Sequence, residues 1–232
     1  MSSHLTDPKT TATAVDAFLE AAHAVPAART PARGRLIFAL DATMSRRPTW
    51  DIAQGLQQQM FATAAAHGGL DVQLVYFRGL AECRASRFVS QGEGLSALMA
   101  KIDCRGGHTQ IEKVLRHAAE EARAAPVGAL IYVGDAMEEN ADALAARAGE
   151  LALRGVKAFL FHEGGDAGAA ACFQDLARVT GGAYARFDAS APHRLAALLG
   201  AVAAYAAGGR AALTDRARGG DAAAKLLLEQ MD

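Results

Sequence analysis

The sequence has little cysteine, and what it has is unpaired in pattern. Cys83, Cys104 and Cys172 stand in 232 residues with no C-x-x-C spacing. An odd, sparse set of this kind fits free thiols in a reducing compartment. An excess of charge of one sign is also missing. Twenty-four Lys and Arg balance 25 Asp and Glu, for a net charge of −1, so nothing directs the chain to nucleic acid or to an anionic membrane surface. No apolar run approaches the ~20 residues that would span a bilayer, and the opening MSSHLTDPKT is polar, without an apolar signal region. These absences predict a soluble, cytoplasmic protein with neither a nucleic-acid nor a membrane partner. A phosphate-cradling loop is absent too. There is no G-x-x-x-x-G-K-[ST], and no G-x-G-x-x-G follows the first apolar run, which removes the usual modes of nucleotide binding. No internal repeat is visible.

What is present is a hydrophobic content of 51%, enough for one packed α/β domain with a substantial core. The organising stretch is 34–47, GRLIFALDATMSRR. Its short apolar run stops at Asp41 and reads as a buried strand over 35–41. A helix from Pro48 to about residue 66 follows, with Ile52, Leu56 and Met60 four apart on its buried stripe, then Gly68-Gly69. Residues 70–77 read as a second strand. Residues 81–89 alternate but are polar, as suits an antiparallel edge strand. Helices are expected over 93–102, 110–124, 140–154, 170–180 and 192–207, and strands over 127–133, 156–161 and 183–187. The fold class that results is α/β: a doubly wound, mostly parallel sheet with helices on both faces and one antiparallel edge strand. Three parts are expected: an N-terminal helix (11–25) and linker within 1–33, the α/β domain over 34–207, and a tail over 208–232 with a short amphipathic helix.

Ligands of such sheets bind beyond the carboxyl ends of the strands, where strand order reverses. Asp41, Thr43 and Ser45 would stand there, with oxygen ligands at alternate positions of one loop. If 127–133 is the neighbour of 35–41, Asp135 joins them, and the loop CRGGHT (104–109) brings Thr109 over both. Five oxygens without sulfur or imidazole suit a hard cation.

D-A-T-M-S at 41–45, G-G-H-T at 106–109 and V-G-D at 133–135 resemble the three pieces of the metal-ion-dependent adhesion site of von Willebrand factor A (VWA) domains. LARVTGGAYARFD (176–188) is similar to the helix–Gly-Gly–strand segment near the end of these domains. The resemblance spans about 34–207, in matching order. It implies that Thr43 and Ser45 form the hydroxyl pair of the first loop, with Asp41 anchoring that loop. It further implies that Thr109 is the hydroxyl of the second loop and Asp135 the carboxylate of the third. Together they would hold Mg²⁺, with Mn²⁺ or Ca²⁺ as alternatives. Two departures are Thr43, where Ser is usual, and Ala136, where Gly often follows the Asp. The implied function is a non-enzymatic protein-interaction module of bacterial, intracellular type, whose partner supplies an Asp or Glu to the metal.

Each residue also has a plainer reading. Asp41 suits a strand-end turn. Thr43 and Ser45 suit loop-capping hydroxyls. Thr109 with Glu112 makes a T-x-x-E capping box for the helix that follows. His108 and His162 either rim the site or are exposed loop residues. Arg46 and Arg47 either attract an acidic partner or form a solvated face. Leu226, Leu227 and Leu228 either dock a partner or pack back on the domain. A different class of function is a phosphoryl hydrolase resembling the haloacid dehalogenase group. GDAMEEN (134–140) partly fits its later motif, but that group expects a second Asp two residues after the first, where this sequence has Thr43.

Overall fold

The computed structural model describes residues 33–188 and 190–231. The helix expected over 11–25 lies outside them. The described chain forms a six-stranded sheet in the order β3-β2-β1-β4-β5-β6. The strands are β1 (Gly34–Asp41), β2 (Leu70–Arg78), β3 (Glu82–Ala85), β4 (Ala129–Gly134), β5 (Lys157–Glu163) and β6 (Ala183–Phe187). Only β3 runs antiparallel, paired to β2 at the edge. The expected α/β architecture is therefore present, with the polar strand where a polar strand can be tolerated. β3 is shorter than the alternation over 81–89 suggests. Ser86 ends it by accepting the Leu74 N–H on its own hydroxyl, and pairing resumes only as a single bridge between Val89 and Val72.

β1 is central. Phe38 stands in parallel register with Leu74 of β2 on one side and with Ile131 of β4 on the other. Its side chains alternate between two cores, as strand geometry requires. Leu36, Phe38 and Leu40 face one layer, while Ile37 and Ala39 face the other. The first layer is built by α1 (Arg47–Gly55), α2 (Gln57–Ala65) and α3 (Gly92–Met99), with α7 (Pro192–Arg218) and α8 (Ala222–Leu228) completing it. The second is built by α4 (Ile111–Ala124), α5 (Ala141–Ala152) and α6 (Ala167–Thr180).

Three local departures have physical causes. The single helix expected from Pro48 to about residue 66 is two, broken at Leu56. There the Gln57 side-chain amide donates to the Ala53 carbonyl at 2.6 Å, the acceptor that an unbroken helix would offer to the Gln57 backbone N–H. The helix expected over 192–207 breaks at Gly209, whose φ of 67° and ψ of −162° are non-helical, and then resumes to Arg218. The segment after it folds back: Leu213, Ala224, Leu227 and Met231 are buried in the first core layer, and the Gln230 amide exchanges hydrogen bonds with the Tyr184 backbone on β6. By length and composition α7 could cross a membrane, yet more than half of its apolar window is buried in the protein, where it packs against α2 and across β1.

Candidate metal centre

Strand order reverses between β1 and β4, because the chain leaves β1 toward β2 on one side and reaches β4 on the other. The carboxyl ends of these two strands make the crevice that open α/β sheets use for ligands. Asp41 is the last residue of β1, and Asp135 follows the last residue of β4. Together with Thr43, Ser45 and Thr109 they line one cleft of about 220 Å³, which also includes Met44, Gly106, Gly107, Ala136 and Glu138. All five expected ligands are thus in one place.

The first loop is shaped by its own carboxylate. Asp41 Oδ1 accepts the Thr43 backbone N–H at 2.7 Å, closing a tight turn that stands the next hydroxyls up side by side. Thr43 Oγ1 and Ser45 Oγ are 3.2 Å apart, and Ser45 Oγ donates to Asp135 Oδ2 at 3.4 Å. Neighbouring ligands of an octahedral ion at about 2.1 Å are about 3.0 Å apart, so the spacing and the all-oxygen chemistry fit magnesium. Among the described residues no group of three or more His, Cys, Asp or Glu could hold a metal.

The second loop is held by backbone contacts. Arg105 N–H donates to the Ala42 carbonyl at 2.9 Å, and His108 N–H to the Gly79 carbonyl at 3.1 Å. Gly107 is required: a Cβ there would lie 2.3 Å from the backbone N and O of Gly79. Gly134 is required for a different reason, since a Cβ would meet the Tyr132 hydroxyl at 2.7 Å.

Thr109 does not cap a helix. Its hydroxyl accepts the Glu138 backbone N–H at 3.0 Å, while its own N–H donates to Glu138 Oε2 at 2.9 Å. The capping box read from T-x-x-E is therefore not formed. The N-terminus of α4 is capped instead by Glu139, which accepts from Ile111 N–H at 2.5 Å and from Glu112 N–H at 3.0 Å. Glu112 pairs with Arg147 on α5. The Thr109 hydroxyl keeps a lone pair for a cation.

Asp41 is 3% exposed, and its carboxyl is pushed up to about 6. Burial is the main cause, opposed by the Thr43 hydrogen bonds and Arg46 and reinforced by Asp135. Burial without enough compensation is the state that a bound cation relieves. His162 is a core residue, not a rim or exposed loop residue: it is 0% exposed. Its Nε2–H donates to the Asp135 carbonyl at 3.3 Å and its Nδ1 accepts from the Tyr184 hydroxyl at 3.0 Å. Burial lowers the pKa of the ring, which favours the neutral form in which Nδ1 is the acceptor. His108, by contrast, is exposed and pairs with Glu138.

Two residues that sequence reading left out or misjudged adjoin the cleft and meet it at Asp135. Arg46 is neither a solvated face nor a free attractor. It is 9% exposed, with Nη2 3.1 Å from Asp135 Oδ2 and Nη1 in an ion pair with Glu163. Glu163, at the end of β5 and 8% exposed, also accepts from the Thr49 hydroxyl. An acid at the carboxyl end of a neighbouring strand was the available signal for Glu163.

No family model matches the sequence, and no curated protein matches it. Solved structures match it by fold. The SpRpn10 VWA domain superposes with a TM-score of 0.56 at 9% identity, over 70% of this chain and 95% of that one. The vWF domain of the type V pili tip protein Mfa5 from Porphyromonas gingivalis gives 0.53 at 11% identity, over 73% and 93%. The pilus adhesin SpaC from Lactobacillus rhamnosus GG gives 0.59 at 10% identity, over 75% of this chain and 30% of that one. These likenesses, with the strand order and the single antiparallel edge, give the chain the fold of the von Willebrand factor A domains.

Proposed function

We propose that the protein is a non-enzymatic interaction module that holds Mg²⁺ through Asp41, Thr43, Ser45, Thr109 and Asp135, and binds a protein partner there. The observation that carries the reading is the gathering of five oxygen-bearing side chains, from three loops distant in sequence, in one cleft at the strand-order reversal. Two carboxylates balance a divalent charge without completing its coordination, so a partner Asp or Glu would take a remaining position through a charge-assisted bond. The rim suits a protein partner. Met44 is 66% and Leu80 80% exposed; Met44 lines the cleft, and Leu80 follows Gly79, which holds the second loop. Arg47 and Arg105 are exposed on neighbouring segments and favour an acidic approach. Against phosphoryl hydrolysis stands Thr43, which occupies the position where a second acid would be needed.

Calorimetric titration with Mg²⁺ and Mn²⁺ tests the metal, with Asp135→Ala as the control. One site for the wild type and none for the variant is expected; no binding by either would reject the reading. Capture of partners from native lysate in Mg²⁺ and in EDTA tests the second half, and a partner indifferent to EDTA would dock elsewhere.

A further inference from the structure

We propose that Arg46 is a resident cation of this site, shared between Asp135 and Glu163, and that the balance between those two acids sets how tightly a divalent ion is held. The inference rests on the metal-site reading and adds two residues to it.

The geometry is specific. The 3-10 turn Met44–Arg46 exposes Met44 and Ser45 but turns Arg46 inward, while the next residue, Arg47, is exposed again. The guanidinium reaches Asp135 Oδ2, the same oxygen to which Ser45 Oγ donates. One oxygen of a candidate metal ligand is therefore already claimed by a fixed positive charge. The other arm of the guanidinium meets Glu163, which Thr49 holds in place. Arg46 Nε is buried without a hydrogen-bond partner. A buried arginine with an unsatisfied donor is not retained for packing economy. Its place is better explained by charge. Within the set Asp41, Asp135 and Glu163, three negative charges stand against the one on Arg46, a formal −2, to which Glu138 on the cleft wall adds a fourth negative charge whichever residue of the set is changed. Removing Arg46 leaves −3 and frees Asp135 Oδ2. Removing the charge of Glu163 leaves −1 and gives Arg46 wholly to Asp135. Like charges within about 5 Å of a dication cost on the order of tenfold in affinity even at water's dielectric constant.

The two substitutions must therefore act with opposite sign, which a merely structural ion pair would not produce. Mn²⁺ titrations of the full chain are the test. Arg46→Gln should tighten Mn²⁺ on the order of tenfold, and Glu163→Gln should weaken it by a similar factor, while both lower the metal-free melting temperature. A wild type without measurable binding beside an Arg46→Gln variant that binds would also support the proposal, with the guanidinium standing in for the ion. Wild-type binding that Arg46→Gln weakens or leaves unchanged would overturn this inference and spare the metal site; no binding by any variant would overturn both. Should Arg46→Gln fail to fold, Glu163→Gln decides alone, and unchanged or tighter binding there refutes the proposal.

Discussion

Thr109 and Glu138 are bound to each other twice. The threonine hydroxyl accepts the glutamate's backbone N–H, and the glutamate carboxylate accepts the threonine's. This closed pair ties the second loop to the third without using a metal. Thr109→Val keeps the shape and deletes the acceptor, leaving the Glu138 N–H unpaired. The expected cost is about 1–3 kcal/mol of metal-free stability, with the response to Mg²⁺ also lost. Thr109→Ser should keep both. Urea unfolding in EDTA and in millimolar Mg²⁺ separates the two effects, and equal loss in Val and Ser variants would refute the assignment.

Asp41 offers a prediction about pH. Its carboxyl titrates near 6 in the folded protein against about 3.9 in an unfolded chain, so the folded state binds the proton more tightly. Stability from this group is fully present below about pH 4 and is lost as pH rises through about 6. In EDTA, the urea midpoint of the wild type should carry this falling contribution, and Asp41→Asn should lack it. Asn still accepts the Thr43 N–H, so at pH 7 the metal-free variant should be the more stable protein, by about 1–3 kcal/mol. With Mg²⁺ the order should reverse, because only the wild type gains. A variant less stable than wild type in EDTA at pH 7 would show that the burial cost of Asp41 is already offset without metal.

Glu139 caps α4 from 28 residues away, accepting two of its orphan N–H groups. Glu139→Ala should cost about 1–2 kcal/mol with no change in Mg²⁺ affinity once folded. It serves as the control for Thr109: same neighbourhood, no ligand lost. Loss of metal binding in folded Glu139→Ala would mean that the cap positions the cleft.

Gly107→Ala should be disproportionately damaging for one methyl group. The added carbon meets backbone, not a side chain that can swing away, so the loop 104–109 must move. We expect weaker Mg²⁺ binding by calorimetry with little change in overall melting, since the strands beneath are untouched; unaltered affinity would show that the loop has slack.

The fold, and the meeting of Asp41, Thr43, Ser45, Thr109 and Asp135 in one cleft, were legible because the chain writes them locally. Buried strands end abruptly at Asp41 and Gly134, and the motif residues sit at those ends. Arg46 was not legible. Two adjacent arginines are chemically alike in the sequence, and only the pitch of the Met44–Arg46 turn decides which one faces inward. The Thr109 capping box failed for a related reason. Its local rule was sound, but a distant acid, Glu139, reached the same N–H groups. The break at Leu56 turned on one side-chain amide competing with the backbone for a carbonyl.

The central position of β1 has a kinetic consequence. Phe38 pairs with Leu74 and with Ile131, partners separated from it by 36 and 93 positions of chain. The cleft exists only after both pairings have closed, and closing the longer one is slow because of its loop entropy. Mg²⁺ would then have nothing to grip in the folding transition state. In stopped-flow experiments it should leave the refolding rate nearly unchanged and slow unfolding almost by the full equilibrium gain, so that a cell supplying the ion would lengthen the lifetime of the folded chain without hastening its birth.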